Sequence, residues 1–382
     1  IQSLFLRSLS YFLNNMETYS TIFKLLTCPN PTVQQENPRA GIPMKTKGMS
    51  NTTSKKYYTP KQIIKWEEFE NLQCLREAFG GELFAEAHRE GRQFRVPLIR
   101  PTDCRVDSEK RATELFNKWN KEIVMTALDP ILDTFRPAIW AQGDNITGIV
   151  MDAPKPQVES TRKQPVRSCV PKRPSSVRNL LDRLEPDSGS VPSHPSSPEE
   201  IGKEKFLKEF KMAAKWKSRW IFQKQIVDET GLWMKDGTRQ SAAWPIRQTF
   251  TYCVKYSCRY ACIITCEEVF IFRVRPRVEI PDPKDPEVLK KVLAENGLME
   301  YVSIPWDNHC QGDPKDYEKW TMNLALWFVH VLAGMDSDVR CVYKDLREET
   351  VLPTQHLELP DQQPPPAGEV PSDNSEVPAE EG

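Results

Sequence analysis

Residues 259–275, RYACIITCEEVFIFRVR, hold two runs rich in Ile, Val, Phe and Tyr on either side of the polar Cys266-Glu267-Glu268. β-Branched and aromatic residues suit a pleated, half-buried surface, so the segment predicts a β-hairpin and requires a sheet. PIRQTFTYCVKYSC, from Pro245, precedes it and reads as a short helix, with proline at the first turn where a missing N–H costs nothing. Helix running into hairpin places the fold in the mixed α/β class.

Other elements follow from local pattern. TPKQIIKWEEFENLQCLREAF, from Thr59, has a capping Thr, Pro at the first helical position and apolar residues at helical spacing, which predicts a helix. A second helix is expected at about 108–128, where Leu115, Phe116, Trp119, Ile123 and Ala127 share one face and Asp107 and Ser108 are cap candidates. Residues 131–152 read as one or two strands with turns. DPKDYEKWTMNLALWFVHVLAGM, from Asp313, is the strongest helix signal, with a capping Asp and a Gly at its end. His330 on it, among Leu, Trp, Phe and Val, reads as a packed residue without chemistry.

Composition marks off the rest. The 382 residues include 32 prolines, unevenly spread. Residues 1–58 are expected to be mostly disordered, about 153–200 reads as a disordered insertion with VPSHPSSP as its clearest linker signal, and 352–382 as a disordered acidic tail. One domain over 59–340 remains. The net charge of −1 conceals a split: seven of the 53 acidic residues lie between His356 and Gly382, where there is no Lys or Arg, leaving 46 acids against 52 bases. A mildly basic body is compatible with a nucleic-acid partner, and the proline-rich segments with protein partners.

Ten cysteines without a short repeating spacing are expected as reduced thiols of an intracellular protein, with nucleus or cytoplasm left open. On a strand, Cys258, Cys262 and Cys266 would lie about 13 Å from one to the next, at about 3.3 Å per residue, too far apart for one zinc ion. There is no run of 18 apolar residues, so no membrane span is expected, and IQSLFLRSLSYFL lacks the small-residue cleavage site of a signal peptide.

The candidate chemistry begins with Glu209-Phe210-Lys211 in KEKFLKEFKMAAKWK. On a strand, residues two apart share a face, so a carboxylate for a divalent cation and a lysine for the attacking water would point together. Phe206, Phe210 and Met212 would then occupy or flank the opposite, buried face. Local propensity argues for a helix instead: there is no β-branched residue, and Phe206, Phe210 and Ala213 recur at helical spacing. Gln248-x-x-x-Tyr252 shifts the balance back. It lies on the helix before the hairpin, 39 residues after Glu209.

This order resembles the PD-(D/E)XK nuclease-like superfamily, and especially a group of largely uncharacterised fungal proteins, some with a kinase-like domain downstream. The matching features are Lys215, Trp216, Lys217, Ser218 and Trp220 in a K-W-x-S-x-W pattern, Arg247 to Tyr252, Arg259 to Glu268, Ile304 to Trp306 and Leu324 to Trp327. Together they cover roughly residues 105–335. The resemblance implies a restriction-endonuclease-like mixed sheet flanked by helices, and Mg2+-dependent hydrolysis of phosphodiesters in nucleic acid. It implies Glu209 as a metal ligand, Lys211 as the water-positioning base, Gln248 and Tyr252 as substrate- or site-organising groups, and Glu114 as a first-helix acid.

The family's Asp after Pro would fall in Arg136-Pro137-Ala138-Ile139-Trp140-Ala141, where this chain has Ala138. Asp144 and Asp152 are the candidate replacement ligands. Without one, metal affinity falls, and the expectation is a degenerate nuclease. The alternative is a catalytically inactive nucleic-acid-binding or protein-interaction module on the same fold. Plain structural readings stand beside these: Gln248 as a bridge within the sheet, Tyr252 as a core aromatic, Glu114 as a solvated helix residue, and Trp216 and Trp220 as packing. Lys215, Lys217 and Arg219 read as a solvated face or a phosphate-contacting stripe.

Overall fold

The computed structural model describes residues 17–35, 57–142, 185–278 and 285–352. Seven strands form its central sheet: β1 (Gln62–Lys65), β2 (Ala138–Gln142), β3 (Ser188–Pro192), β4 (Phe206–Phe210), β5 (Tyr260–Ile264), β6 (Glu268–Pro276) and β7 (Gly297–Pro305). They lie in the order β1-β7-β6-β5-β4-β3-β2. The β1–β7 and β4–β5 pairs are parallel and the others antiparallel, so the sheet is mixed.

Four longer helices cover both faces. The first, α1, runs from Glu109–Phe116 through a π turn, Asn117–Lys121, into Glu122–Leu128. α2 (Ala243–Tyr256) and α3 (Pro286–Asn296) pack on one face, while α1 and α4 (Met322–Met335) pack on the other. Among the described residues no helix is long and apolar enough to cross a membrane.

The hairpin forms where its composition predicts it, with Ile264 opposite Val269 and Tyr260 opposite Arg273. β4 departs from its local propensity. All five of its residues are buried, and each of them pairs with β5, from Phe206↔Tyr260 to Phe210↔Ile264. Helix propensities differ by only about 0.7 kcal/mol per ordinary residue, less than the cost of leaving a central slot of backbone donors and acceptors unfilled.

Four further expectations are corrected. The segment after Thr59 forms β1 rather than a helix, because Gln62–Lys65 pairs with β7 and buries Ile63; only Gln73–Glu77 of that stretch is α-helical. In the N-terminal region, residues 17–35 are folded: Ile22–Leu26 is a helix with Ile22, Phe23, Leu25 and Leu26 buried. The expected insertion at about 153–200 is cut short at its end, since β3 lies inside it and joins β2 to β4. α4 starts at its Thr321 cap, whose hydroxyl accepts the Leu324 N–H at 3.1 Å, and not at Asp313. Gly334 lies within α4, where a Cβ would meet the Arg136 carbonyl oxygen at 2.2 Å, so its small size lets the helix rest on the start of β2. The acidic tail after residue 352 lies outside the described residues.

Candidate functional site

β4 alternates. Leu207, Glu209 and then Lys211 point to the α2 side, while Phe206, Lys208 and Phe210 point to the α1 and α4 side. Glu209, only 1% exposed, therefore meets two partners: Lys211 Nζ donates to its Oε1 at 2.6 Å, and Gln248 Nε2 donates to the same oxygen at 2.9 Å. Gln248 Nε2 also donates to the Tyr252 hydroxyl at 2.6 Å, one helical turn along α2. The structure thus brings together Glu209, Lys211, Gln248 and Tyr252.

The acid that completes the cluster is Asp187. It stands immediately before β3, exposed at the mouth of the cluster, and its Oδ2 accepts the Phe210 N–H at 2.8 Å. Ala138 is not at that place. It opens β2, is fully buried, pairs with Pro192 at the far end of β3 from Asp187, and gives its carbonyl to His330 Nδ1 at 2.6 Å. The linker-like composition of β3 hides the acid that precedes it. Of the three Pro-Asp pairs in the chain, Pro186-Asp187 is the one between α1 and Glu209, and that was the available signal. Asp144 and Asp152 lie outside the described residues.

The first-helix acid is also corrected. Glu114 is half exposed and pairs with Arg111 at 3.4 Å, with no contact to the cluster. Glu109, in the first turn of α1, lies 3.9 Å from Lys211 Nζ and 3.5 Å from Lys215 Nζ. Five residues at about 100° each turn Glu114 some 140° away from Glu109, so one helix cannot present both to one point.

Burial, reinforced by the charge of Asp187, pushes the Glu209 carboxyl from 4.5 up to about 7. Asp187 is raised by crowding from the protein beneath it, against the pull of Lys211 and the Phe210 N–H. For Lys211, burial opposes the charge, but Glu209, Glu109 and Asp187 together outweigh it and hold the ammonium above its ordinary value. Glu209, raised by lost hydration and the Asp187 charge, and Asp187, raised chiefly by lost hydration, are carboxyls whose charged forms a cation would stabilise.

The oxygen set fits Mg2+ or Mn2+. Glu209 Oε2 is buried without a hydrogen-bond partner, Asp187 faces solvent, and both are hard carboxylate donors. Among the described residues no third His, Cys, Asp or Glu closes a cage around them. Such an open set leaves positions for water and substrate oxygen, as Mg2+ prefers.

A pH dependence follows. Because the folded-state value of Glu209 is raised, its contribution to stability is full below 4.5 and is lost as pH rises through about 7. A divalent cation needs the ionised form and competes with that proton, so Mn2+ affinity should rise about tenfold from pH 6 to pH 8 with release of a proton. Isothermal titration in buffers of different ionisation enthalpy measures both; a flat affinity would show that Glu209 is not a ligand.

The K-W-x-S-x-W residues hold the chain beyond Lys211 against the sheet. Trp216 is fully buried and donates to the Ala242 carbonyl at 3.0 Å, Lys217 pairs with Glu267 at 2.6 Å, and Ser218 binds Glu268. Lys217 is therefore tied to the hairpin turn, while Lys215 and Arg219 are exposed. On the opposite face of β4, Lys208 is fully buried between the Trp140 and Phe206 rings and bonded to the Ser190 hydroxyl, and burial lowers it to about 7. No sequence signal separated this core lysine from the exposed Lys215.

No protein-family model, curated protein or solved structure matches the chain.

Proposed function

We propose that the protein is a PD-(D/E)XK-type, Mg2+-dependent phosphodiesterase acting on nucleic acid, with Asp187, Glu209 and Lys211 as its reactive set. The order α1, β2, β3, β4, α2, β5, with three antiparallel strands and a fourth parallel to the third, supports a restriction-endonuclease-like core. The observation that carries the reading is Asp187 held against the end of β4 beside Glu209 and Lys211. It removes the argument for a degenerate site that rested on Ala138.

Asp187 and Glu209 would hold the cation, which when bound would neutralise the scissile phosphate and acidify a water. Lys211, kept charged by three carboxylates, acts as a donor that positions water or a phosphate oxygen; an ammonium held above its ordinary value is a poor proton acceptor. Gln248 fixes which Glu209 oxygen is occupied by protein, leaving Oε2 for the ligand. Glu109 balances Lys211 and Lys215 from outside.

The test is cleavage of plasmid and single-stranded DNA with Mg2+ or Mn2+, wild type against Lys211→Ala. Metal-dependent cleavage lost in the variant supports the reading; cation binding without cleavage of either substrate would leave a binding module on the same fold.

A further inference from the structure

Tyr57 lies just ahead of β1, outside every motif named above, yet three hydrogen bonds strap its segment along α2. Arg247 Nη2 donates to the Tyr57 carbonyl at 2.5 Å, Arg247 Nε to Thr59 Oγ1 at 2.8 Å, and the Tyr58 N–H to Thr251 Oγ1 at 2.9 Å. Arg247 and Thr251 are one turn apart and adjoin Gln248 and Tyr252, so the strap runs beside the row that reaches Glu209.

The side chain turns inward. It is 3% exposed and belongs to the packed cluster that includes Leu207 and Tyr252, and its hydroxyl has no hydrogen-bond partner. Phenylalanine would fill an apolar slot without that penalty, so a hydroxyl here calls for a polar role. Two acceptors near Tyr252 are also buried and unpartnered: Glu209 Oε2 and Gln248 Oε1. The donor and acceptor types match, because one water accepting from Tyr57 can donate to Gln248 Oε1 and to one lone pair of Glu209 Oε2, leaving the other lone pair of Oε2 for a cation. Burial, then the Glu209 charge, pushes the hydroxyl up to about 12, which keeps it a donor.

We infer that Tyr57 is a positioning residue of the site, its hydroxyl acting with Gln248 to orient the Glu209 carboxylate. The inference rests on the reading of Glu209 as the site's acid. It assigns a site function to a segment that precedes the sheet.

The test uses the full chain as wild type, Tyr57→Phe, Glu209→Gln and the double variant, with Mn2+ titration and urea unfolding without metal. Tyr57→Phe keeps the ring and should keep the fold; an unfolded variant would reduce Tyr57 to packing and overturn the inference. If wild type binds Mn2+, affinity decides: about a tenfold weakening in Tyr57→Phe, the scale of losing a ligand's supporting partner, supports it, and an unchanged Kd overturns it. If wild type does not bind Mn2+, the cation reading falls and the unfolding cycle decides. Midpoint shifts that fail to add then support a Tyr57–Glu209 link, and additive shifts overturn it.

Discussion

Asp187→Asn should abolish saturable Mn2+ binding and metal-dependent cleavage while leaving the fold intact. The substitution keeps the size of the side chain and an oxygen to accept the Phe210 N–H, so the 2.8 Å bond that seats it can persist. It removes one of two negative charges facing the cation. Removing only a supporting partner costs about 10–100-fold in affinity, and removing a ligand should exceed that. Two controls sharpen the result. Glu114→Gln, on the exposed side of α1, should behave as wild type, whereas Glu109→Gln should alter the site through Lys211. Wild-type affinity in Asp187→Asn would dismiss it as a ligand and return attention to Asp144 and Asp152.

The largest stability effect is expected from Arg259→Met. Arg259 is completely buried at the start of the hairpin; its Nη2 lies 2.7 Å from Glu349 Oε2, its Nη1 3.8 Å from Asp336 Oδ2, and its guanidinium 3.5 Å from the Tyr343 ring centroid. The segment after α4 is thus pinned to the sheet, with help from the Tyr343 hydroxyl on the Val274 carbonyl at 2.6 Å. Removing one member of a buried pair strands the other, at about 3–5 kcal/mol. Urea unfolding at neutral pH reads this as a lowered midpoint, and Arg259→Lys should restore little, because an ammonium cannot both stack and fork. A loss below about 1 kcal/mol would show that Glu349 finds water instead.

Legibility in the sequence followed where the backbone finds its partners. α2 and the β5–β6 hairpin could be read because their bonds are local and their composition agrees with their conformation. β4 could not, since a strand buried on both faces loses its alternation and its residues were strong helix formers. β3 was hidden more deeply. Ser188, Gly189, Ser190, Val191 and Pro192 look like linker, yet a Cβ at Gly189 would lie 2.1 Å from the Glu204 carboxylate. Small residues there serve packing.

The sequence by itself determined the α/β class, the one-turn spacing of Gln248 and Tyr252 on α2 and the packed character of His330, because composition and fixed spacings on single elements place those side chains. Tertiary structure alone decided that Glu209 and Lys211 lie on a strand facing Gln248, that Asp187 and not Ala138 seats against the end of that strand, that Glu109 and not Glu114 faces Lys211, and that the Tyr57 segment straps along α2. Those choices depend on which strands become neighbours and how a helix is rotated against them, and long-range pairing of backbone and burial sets both.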